Sequence, residues 1–465
     1  FVLPSLLETL TATPQAHCVL GDDDEAPANT AVVQVGSNRL AVDTALVELQ
    51  VTASSLIPTY LEHLGALMRD HIPTLLELLR PLLRSSLSED IKANCLEWPP
   101  HLAQSVLLIC NSEAERRVPI ASLIAIVVDY MEHSGEIEGS ADALSQVYSH
   151  VGFLVDNNTT ALLASKVFDM VEELKQVADD DDDDDGDCGD DGEEDEDEGL
   201  ADELASLTSL FTELCKSAPE QVAAIVNANL PRINELSKPE TKALFRTWVV
   251  CLLIDGIEHC HMIALVADSL PLFLRECESP IASNRQSAVF GIGVCAEHST
   301  AEFLPFAPNC VALILRLLCA PDARDDNDNE LASDNAISSL LKILRLCAHG
   351  LPQDAVIAAT NALVTYLPAK ADDEEMPIIH TAFSQLAADP MSLVTTLGGD
   401  APRLTSCLAK VSLLPADACP VDARSSLVTS LRTLRDRDAA AVEQGLQALD
   451  EAQRGEVIQL LADVE

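Results

Sequence analysis

Residues 163–214 read LASKVFDMVEELKQVADDDDDDDGDCGDDGEEDEDEGLADELASLTSLFTEL. At the start of this stretch Leu163, Val167, Met170, Val171 and Leu174 recur at helical spacing, and at its end Leu200, Leu204, Leu207, Phe211 and Leu214 do the same. That period places each set on one face of an α-helix. Between the stripes, sixteen of the twenty residues from Asp179 to Glu198 are Asp or Glu. Like charges at this density repel one another and stay solvated, so no packed element is expected to hold them. The run reads as an acidic disordered loop over 178–199, with Asp179, Asp185, Glu193 and Glu198 among its carboxylates. It separates helical segments 1–177 and 200–465.

The same stripes continue outward in both directions. Ile57, Leu61, Leu64 and Leu67 share a face, as do Ile72, Leu75, Leu76, Leu79, Leu82 and Leu83, then Leu144, Val147, Val151 and Leu154. Beyond the acidic run, Leu244, Phe245, Trp248, Leu252 and Leu253 continue the series, which ends at Ile458, Leu460 and Leu461. Each stripe lasts about 12–18 residues and stops at Pro, Gly, Asn, Asp or Ser. Two stripes with their breaks take about 40 residues, the period of HEAT or armadillo units. Leu274-Arg275 and Leu315-Arg316 echo one another 41 residues apart. A second echo joins Cys295-Ala296-Glu297-His298 to Cys347-Ala348-His349-Gly350. One helix pair cannot bury its own apolar face, so the expected fold is all-α: a solenoid of stacked antiparallel pairs with a long concave face. One stretch, 21–40, is read instead as a projecting loop with a small hairpin, on Val32, Val33 and Val35 beside Gly36 and Asn38.

Charge narrows the partners. The net charge is −48, and the folded part stays acidic when the run is set aside. Such a field attracts basic protein surfaces and repels nucleic acid. Apolar residues make up 48% of the chain but aromatics only 3%, so Leu, Ala and Val build the core. The fourteen cysteines form no CxxC pair and read as small buried hydrophobes. The longest apolar stretch, Val118 to Val128, is too short to span a bilayer. The chain begins at Phe1, not Met, and is read as a piece of a longer protein.

No catalytic constellation emerges, and the chain is read as a non-enzyme without metal or cofactor. Walker, HExxH and GxSxG motifs are absent from the sequence. Gly291-Ile292-Gly293 is a lone GxG in a helical stretch and reads as close helix packing. His259-Cys260-His261 lacks a second ligand pair nearby.

Several segments, in order, resemble the karyopherin-β nuclear transport receptors. They include FVLPSLL at 1–7, VQVG at 33–36, VDTA at 42–45 and LADE at 200–203. Further on come CLLIDGIEHC at 251–260, NRQSAVFGIGV at 284–294 and ASDNAIS at 332–338, then Tyr366-Leu367-Pro368 with the acids Asp372 to Glu375, and LDEAQR at 449–454. The likeness is to the C-terminal half of the importin-5 (karyopherin beta-3) type, with the importin-4 type as nearest competitor. It implies a HEAT-repeat superhelix that shuttles between cytoplasm and nucleus. It implies basic cargo such as ribosomal proteins and histones, release by Ran in its GTP form through repeats outside this chain, and contact with Phe-Gly nucleoporins, with no membrane or direct nucleic-acid partner. The cargo face it implies carries Asp255, Glu258, Asn284, Asp334 and Asn335. Arg285 is expected to tie one repeat to the next. An acidic chaperone of histones or ribosomal proteins, or a HEAT scaffold without transport activity, are the alternatives.

Overall fold

A computed structural model describes residues 2–13, 16–20, 30–35, 38–85, 88–183 and 193–462. Its chain divides into two units, Phe1–Leu230 and Pro231–Glu465. The first unit opens with α1 (Val2–Thr11) and three strands, β1 (Ala16–Leu20), β2 (Thr30–Val35) and β3 (Asn38–Asp43). The helices α2 (Thr44–Leu64), α3 (Ile72–Leu83), α4 (Glu89–Leu96), α5 (Trp98–Ile109), α6 (Glu113–Ser134), α7 (Glu138–Val151), α8 (Asn157–Asp183), α9 (Glu193–Ser217) and α10 (Pro219–Ala228) follow. Here α2, α5, α7 and α9 stack side by side as one layer. Against it lie α3, α6, α8 and α10, with α6 packed on both α5 and α7 and α8 on α9. That alternation is how amphipathic pairs bury stripes that none could bury alone.

The two stripes that flank the acidic run face each other. Leu163, Val167, Met170 and Val171 of α8 are buried, as are Leu204, Leu207, Phe211 and Leu214 of α9. Phe168 meets Phe211 edge-on, with centroids 5.9 Å apart. The run therefore lies within one packed helix pair and does not separate the two units. Helix also reaches further into it than expected: α8 continues to Asp183 and α9 starts at Glu193, so acids at both ends of 178–199 are helical. Extending an anchored helix costs far less than nucleating one, and Lys175 pairs with Asp179 one turn on. Residues 184–192, Asp185 among them, lie outside the described residues.

The strands form a small antiparallel sheet in the order β1-β3-β2. Val33 of β2 pairs with Leu40 of β3, and Val35 with Asn38. The hairpin expected in 21–40 is thus β2–β3, joined by a strand, β1, that the sequence pattern did not announce; residues 21–29 lie outside the described residues.

The second unit begins within α11 (Leu230–Leu236) and runs through α12 (Ala243–Glu258), α13 (Val266–Glu276), α14 (Ala282–His298), α15 (Thr300–Phe303), α16 (Ala307–Leu318), α17 (Asn327–Cys347), α18 (Gln353–Tyr366), α19 (Met376–Leu386), α20 (Pro390–Thr396), α21 (Ala401–Ser412), α22 (Val421–Arg437), α23 (Ala439–Leu446) and α24 (Glu451–Ala462). One layer stacks α12, α14, α17, α19 and α22 in turn, and the other includes α13, α16, α18 and α21. Polar ties between neighbouring pairs join residues 37 to 44 apart, which is the repeat length read directly from the contacts. The fold is a HEAT-repeat α-solenoid.

Gly291 and Gly293 mark close packing around α14. A Cβ on Gly291 would sit 3.0 Å from Ile254 and Phe273, and one on Gly293 would sit 3.1 Å from Cα of Ser339 on α17. Ser339 Oγ meanwhile donates to the Val289 carbonyl at 2.6 Å. Since Ser339 opposes Gly293 with backbone, no side-chain rotation relieves the clash. Gly293→Val is expected to destabilise the second unit by about 2–3 kcal/mol, as overpacking does. Urea unfolding would read it. Gly455→Ala, where a Cβ meets nothing within 4 Å, is the control and should hold or raise stability.

Candidate binding face

Polar residues of the second unit fall into two classes, those that fasten repeats and those that face solvent. The fasteners begin with Glu276 at the end of α13, which is 2% exposed. Arg246 Nε donates to its Oε1 at 3.0 Å and Arg275 Nε at 2.9 Å. Asn284 Nδ2 donates to Oε2 at 3.3 Å, while Thr247 Oγ1 donates to Asn284 Oδ1 at 2.6 Å. Burial works against the Glu276 charge, but the two guanidinium groups outweigh it and hold its carboxyl below the ordinary value of 4.5. Arg285 donates to the carbonyls of Ser279 and Pro280 at 2.7 Å each and to Asn329 at the start of α17. It ties α14 to the next repeat.

One repeat on, Asp334 has no solvent exposure. Its Oδ2 accepts the backbone N–H groups of Lys370, Ala371 and Asp372 at 2.8, 2.7 and 3.3 Å. Arg324 lies 3.4 Å from Oδ1. Asn335 donates to the Leu331 carbonyl at 3.0 Å and to Asp372 Oδ2 at 2.8 Å. Ser338 donates to Glu375 at 2.7 Å. Of the five residues named for a cargo face, Asn284, Asp334 and Asn335 are therefore buried and hydrogen-bonded between repeats. Asp255 is 7% exposed on α12, with His259 Nε2 3.8 Å away, and Glu258, one turn on, is half-buried. The five do not converge on one surface site. Asp179 and Glu198, the two ends of the acidic run, are exposed, and Glu193 is the first residue of α9.

The first unit holds a more concentrated acidic feature that sequence reasoning missed. A groove of about 490 Å³ runs between α4, α5 and α7. Glu89, Glu97, Glu136 and Asp142 line it, and Lys92, the cation among its lining residues, is already paired with Glu89 at 2.7 Å. Leu96, Ala93, Ala143 and Tyr130 supply an apolar floor. Glu136 is held in place at the start of α7, accepting from Gly139 N at 3.2 Å and Ser140 Oγ at 3.3 Å. Beyond it lie Glu138 and Glu203. Burial, then the charges of Asp202, Asp142 and Glu136, push the Glu138 carboxyl up; burial, then Glu136 and Glu138, push up Glu203. These carboxylates come from four separate segments, so only the fold gathers them. A faint signal was the acid pairs Glu89-Asp90 and Glu136/Glu138 beside short stripes.

Among the described residues, no group of three or more His, Cys, Asp or Glu is placed to hold a metal ion. The thiols of Cys277, Cys295 and Cys310 are all pushed up by burial, that of Cys295 to about 12. They pack as apolar groups.

No protein-family model matches the chain. A probable importin-5 homolog of Dictyostelium discoideum is 30% identical over 190 residues, 39% of this chain and 17% of that protein. Importin-4 of Mus musculus is 28% identical over 190 residues, 40% of this chain and 16% of that protein. The matches thus span about a sixth of these relatives. Among solved structures, the karyopherin Kap121p bound to the SUMO protease Ulp1p superposes with TM-score 0.75 at 16% identity, over 99% of this chain and 42% of that one. Kap121p bound to RanGTP gives TM-score 0.74 at 17% identity, over 99% and 42%. The chain is thus similar to importin-5 and importin-4 proteins over 190 residues, and it shares its stacked-helix HEAT fold with the karyopherin Kap121p.

Proposed function

We propose that the chain forms part of a nuclear import receptor, which binds basic protein cargo on acidic HEAT surfaces, shuttles it from cytoplasm to nucleus and releases it to Ran-GTP. The observation that carries this reading is the groove at α4, α5 and α7, where four carboxylates oppose one lysine over an apolar floor. Such a site takes Lys and Arg side chains with their aliphatic stems. The net charge of −48 adds long-range attraction for basic proteins such as histones or ribosomal proteins. The structural relatives support the partners by analogy: Kap121p has been solved with RanGTP and with Nup53p.

The test uses the complete parent protein and a purified histone. Cargo release by Ran-GTP but not Ran-GDP supports a receptor, and retention of cargo points to an acidic chaperone. In the same assay, Glu97→Lys/Asp142→Lys is expected to weaken cargo binding tenfold or more at low salt, a change of about 1.4 kcal/mol per decade. The loss should shrink as salt rises. Undiminished binding by this variant would remove the groove from the cargo surface.

A further inference from the structure

A second groove, in the other unit, is lined by two cations, Lys342 and Arg345, against one carboxylate, Glu297. It opens on the layer formed by α14, α17, α19 and α22, with a volume of about 410 Å³. Lys342 and Arg345 of α17 form one wall; Pro377 and Ile378 at the start of α19, with Pro420, form an apolar one. Thr381 and Gln385 lie along the rim. The volume lies within the range of sites that bind ligands.

The charges here are not equivalent. Lys342 is nearly covered, its Nζ 3.2 Å from Glu297 Oε2 and 5.1 Å from the Phe290 ring centroid. Its charge is met by Glu297 and by the ring face. Glu375, below the groove, is 9% exposed and turned inward onto Ser338. Arg345, one turn beyond Lys342, is exposed and makes no hydrogen bond or ion pair among the described residues. In a chain with 76 acidic and 28 basic residues, a guanidinium left over at a groove is unexpected. Beside it Ile378 leaves 49% of its surface in water. A planar fork of donors next to an apolar wall fits a carboxylate followed closely by an apolar side chain.

We propose that this groove docks an acidic peptide, with an Asp or Glu on Arg345 and a neighbouring apolar side chain against Ile378 and Pro377. The partner therefore differs in sign from the basic cargo of the first unit, and the groove stands independently of the import reading. The acidic surface elsewhere repels such a peptide at long range. At 0.15 M salt the screening length is about 8 Å, so contact within the groove outlasts that repulsion.

The competing role for Arg345 is local, since a cation in the last turn of α17 also favours the helix dipole. Arg437 occupies the same kind of position at the end of α22 and does not line the groove, so it supplies the control. The experiment is fluorescence anisotropy at 0.15 M salt with the full chain. The probe is a labelled Gly/Ser-rich dodecapeptide carrying Glu two residues before Leu, compared with a Gln-for-Glu version and a Lys-for-Glu version. The acidic peptide should bind, the Gln version should bind at least fivefold more weakly and the Lys version not at all. Arg345→Glu and Ile378→Ser should each weaken the acidic peptide tenfold or more, while Arg437→Glu leaves it unchanged. Histone capture should be unaffected by Arg345→Glu, which separates this site from the acidic one. Equal binding of all three peptides, or equal losses in the Arg345 and Arg437 variants, would overturn the proposal.

Discussion

Glu276→Ala is expected to lower the stability of the second unit by about 3–5 kcal/mol, the usual consequence of stripping one partner from a buried ion pair. The pair need not be worth that much in itself. Its removal leaves the Arg246 guanidinium, whose side chain is only 15% exposed, without its anion. Asn284 loses an acceptor in the same step. Arg275, at 39% exposure, can turn to water and soften the loss. Glu276→Gln keeps an acceptor of the same shape but no charge, and is expected to lose about half as much, since hydrogen bonds to charged groups contribute about 1.5–3 kcal/mol. The two tryptophans make this measurable. Trp98 lies in the first unit and Trp248 in the second, both buried. In a Trp98→Phe background the fluorescence of Trp248 reports the second unit alone during urea unfolding. The pH dependence supplies a second check. The Glu276 carboxyl is held below its ordinary 4.5 in the fold. Its contribution is therefore fully present above about pH 4.5 and is lost as pH falls through the folded value. The gap between wild type and Glu276→Ala should close over that acidic window; a gap that persists through it would mean that packing, not charge, sets the loss.

The helices were legible because each stripe has to be buried, and a period near 3.6 survives in any context. The stripes at 163–174 and 200–214 predicted two faces, and Phe168 against Phe211 shows them joined. Gly291 and Gly293 were legible too, since two glycines two residues apart within a helical stretch point to close packing by small residues. The roles of the polar residues were not. A helix of the stacked layer has a neighbour on each side as well as its own partner, so α17 buries Ser333, Asp334, Asn335, Ser338 and Ser339 along with its leucines. Read as one helix, those residues look like a solvent face suited to a ligand. Only the following repeat, some 37 residues later, supplies Asp372 and Glu375 to cover them. The acidic groove in the first unit was hidden for the converse reason, because its carboxylates come from segments that share no local pattern. The acidic run misled on organisation: charge density argued for a break, but the apolar turns on both sides are packed together.

Asp334→Ala should have an effect as large as that of Glu276→Ala, about 3–5 kcal/mol, but through the backbone. One carboxylate oxygen accepts three consecutive N–H groups in the segment that leads into α19. A turn that points three donors at one oxygen is held by charge and cannot be satisfied by one neutral acceptor. Without it, three half-buried N–H groups lose their acceptor together, each costing up to about 1–3 kcal/mol until water reaches it. Arg324, which lies 5.9 Å from the Tyr366 ring and donates to the Tyr366 carbonyl at 3.3 Å, loses one of its two anions and keeps Glu330 at 3.4 Å. Because this segment is a connection on the edge of the layer, it can open while the helices stay paired. The loss should therefore be local first: amides of residues 370–372 should exchange with solvent 100-fold faster or more, ahead of any change in α17. Asp334→Asn retains one oxygen but points an amide nitrogen into the same crowd of donors, and it should fall between wild type and Asp334→Ala. Hydrogen exchange resolved to single amides decides the matter. Unchanged protection at 370–372 in Asp334→Ala would show that the turn is held by its own helix caps, and the fastener would then belong to Asn335 and Asp372. If protection is lost there and retained in α17, the turn that enters α19 rests on one buried carboxylate, while Asn335–Asp372 and Ser338–Glu375 keep the helices of the two repeats joined.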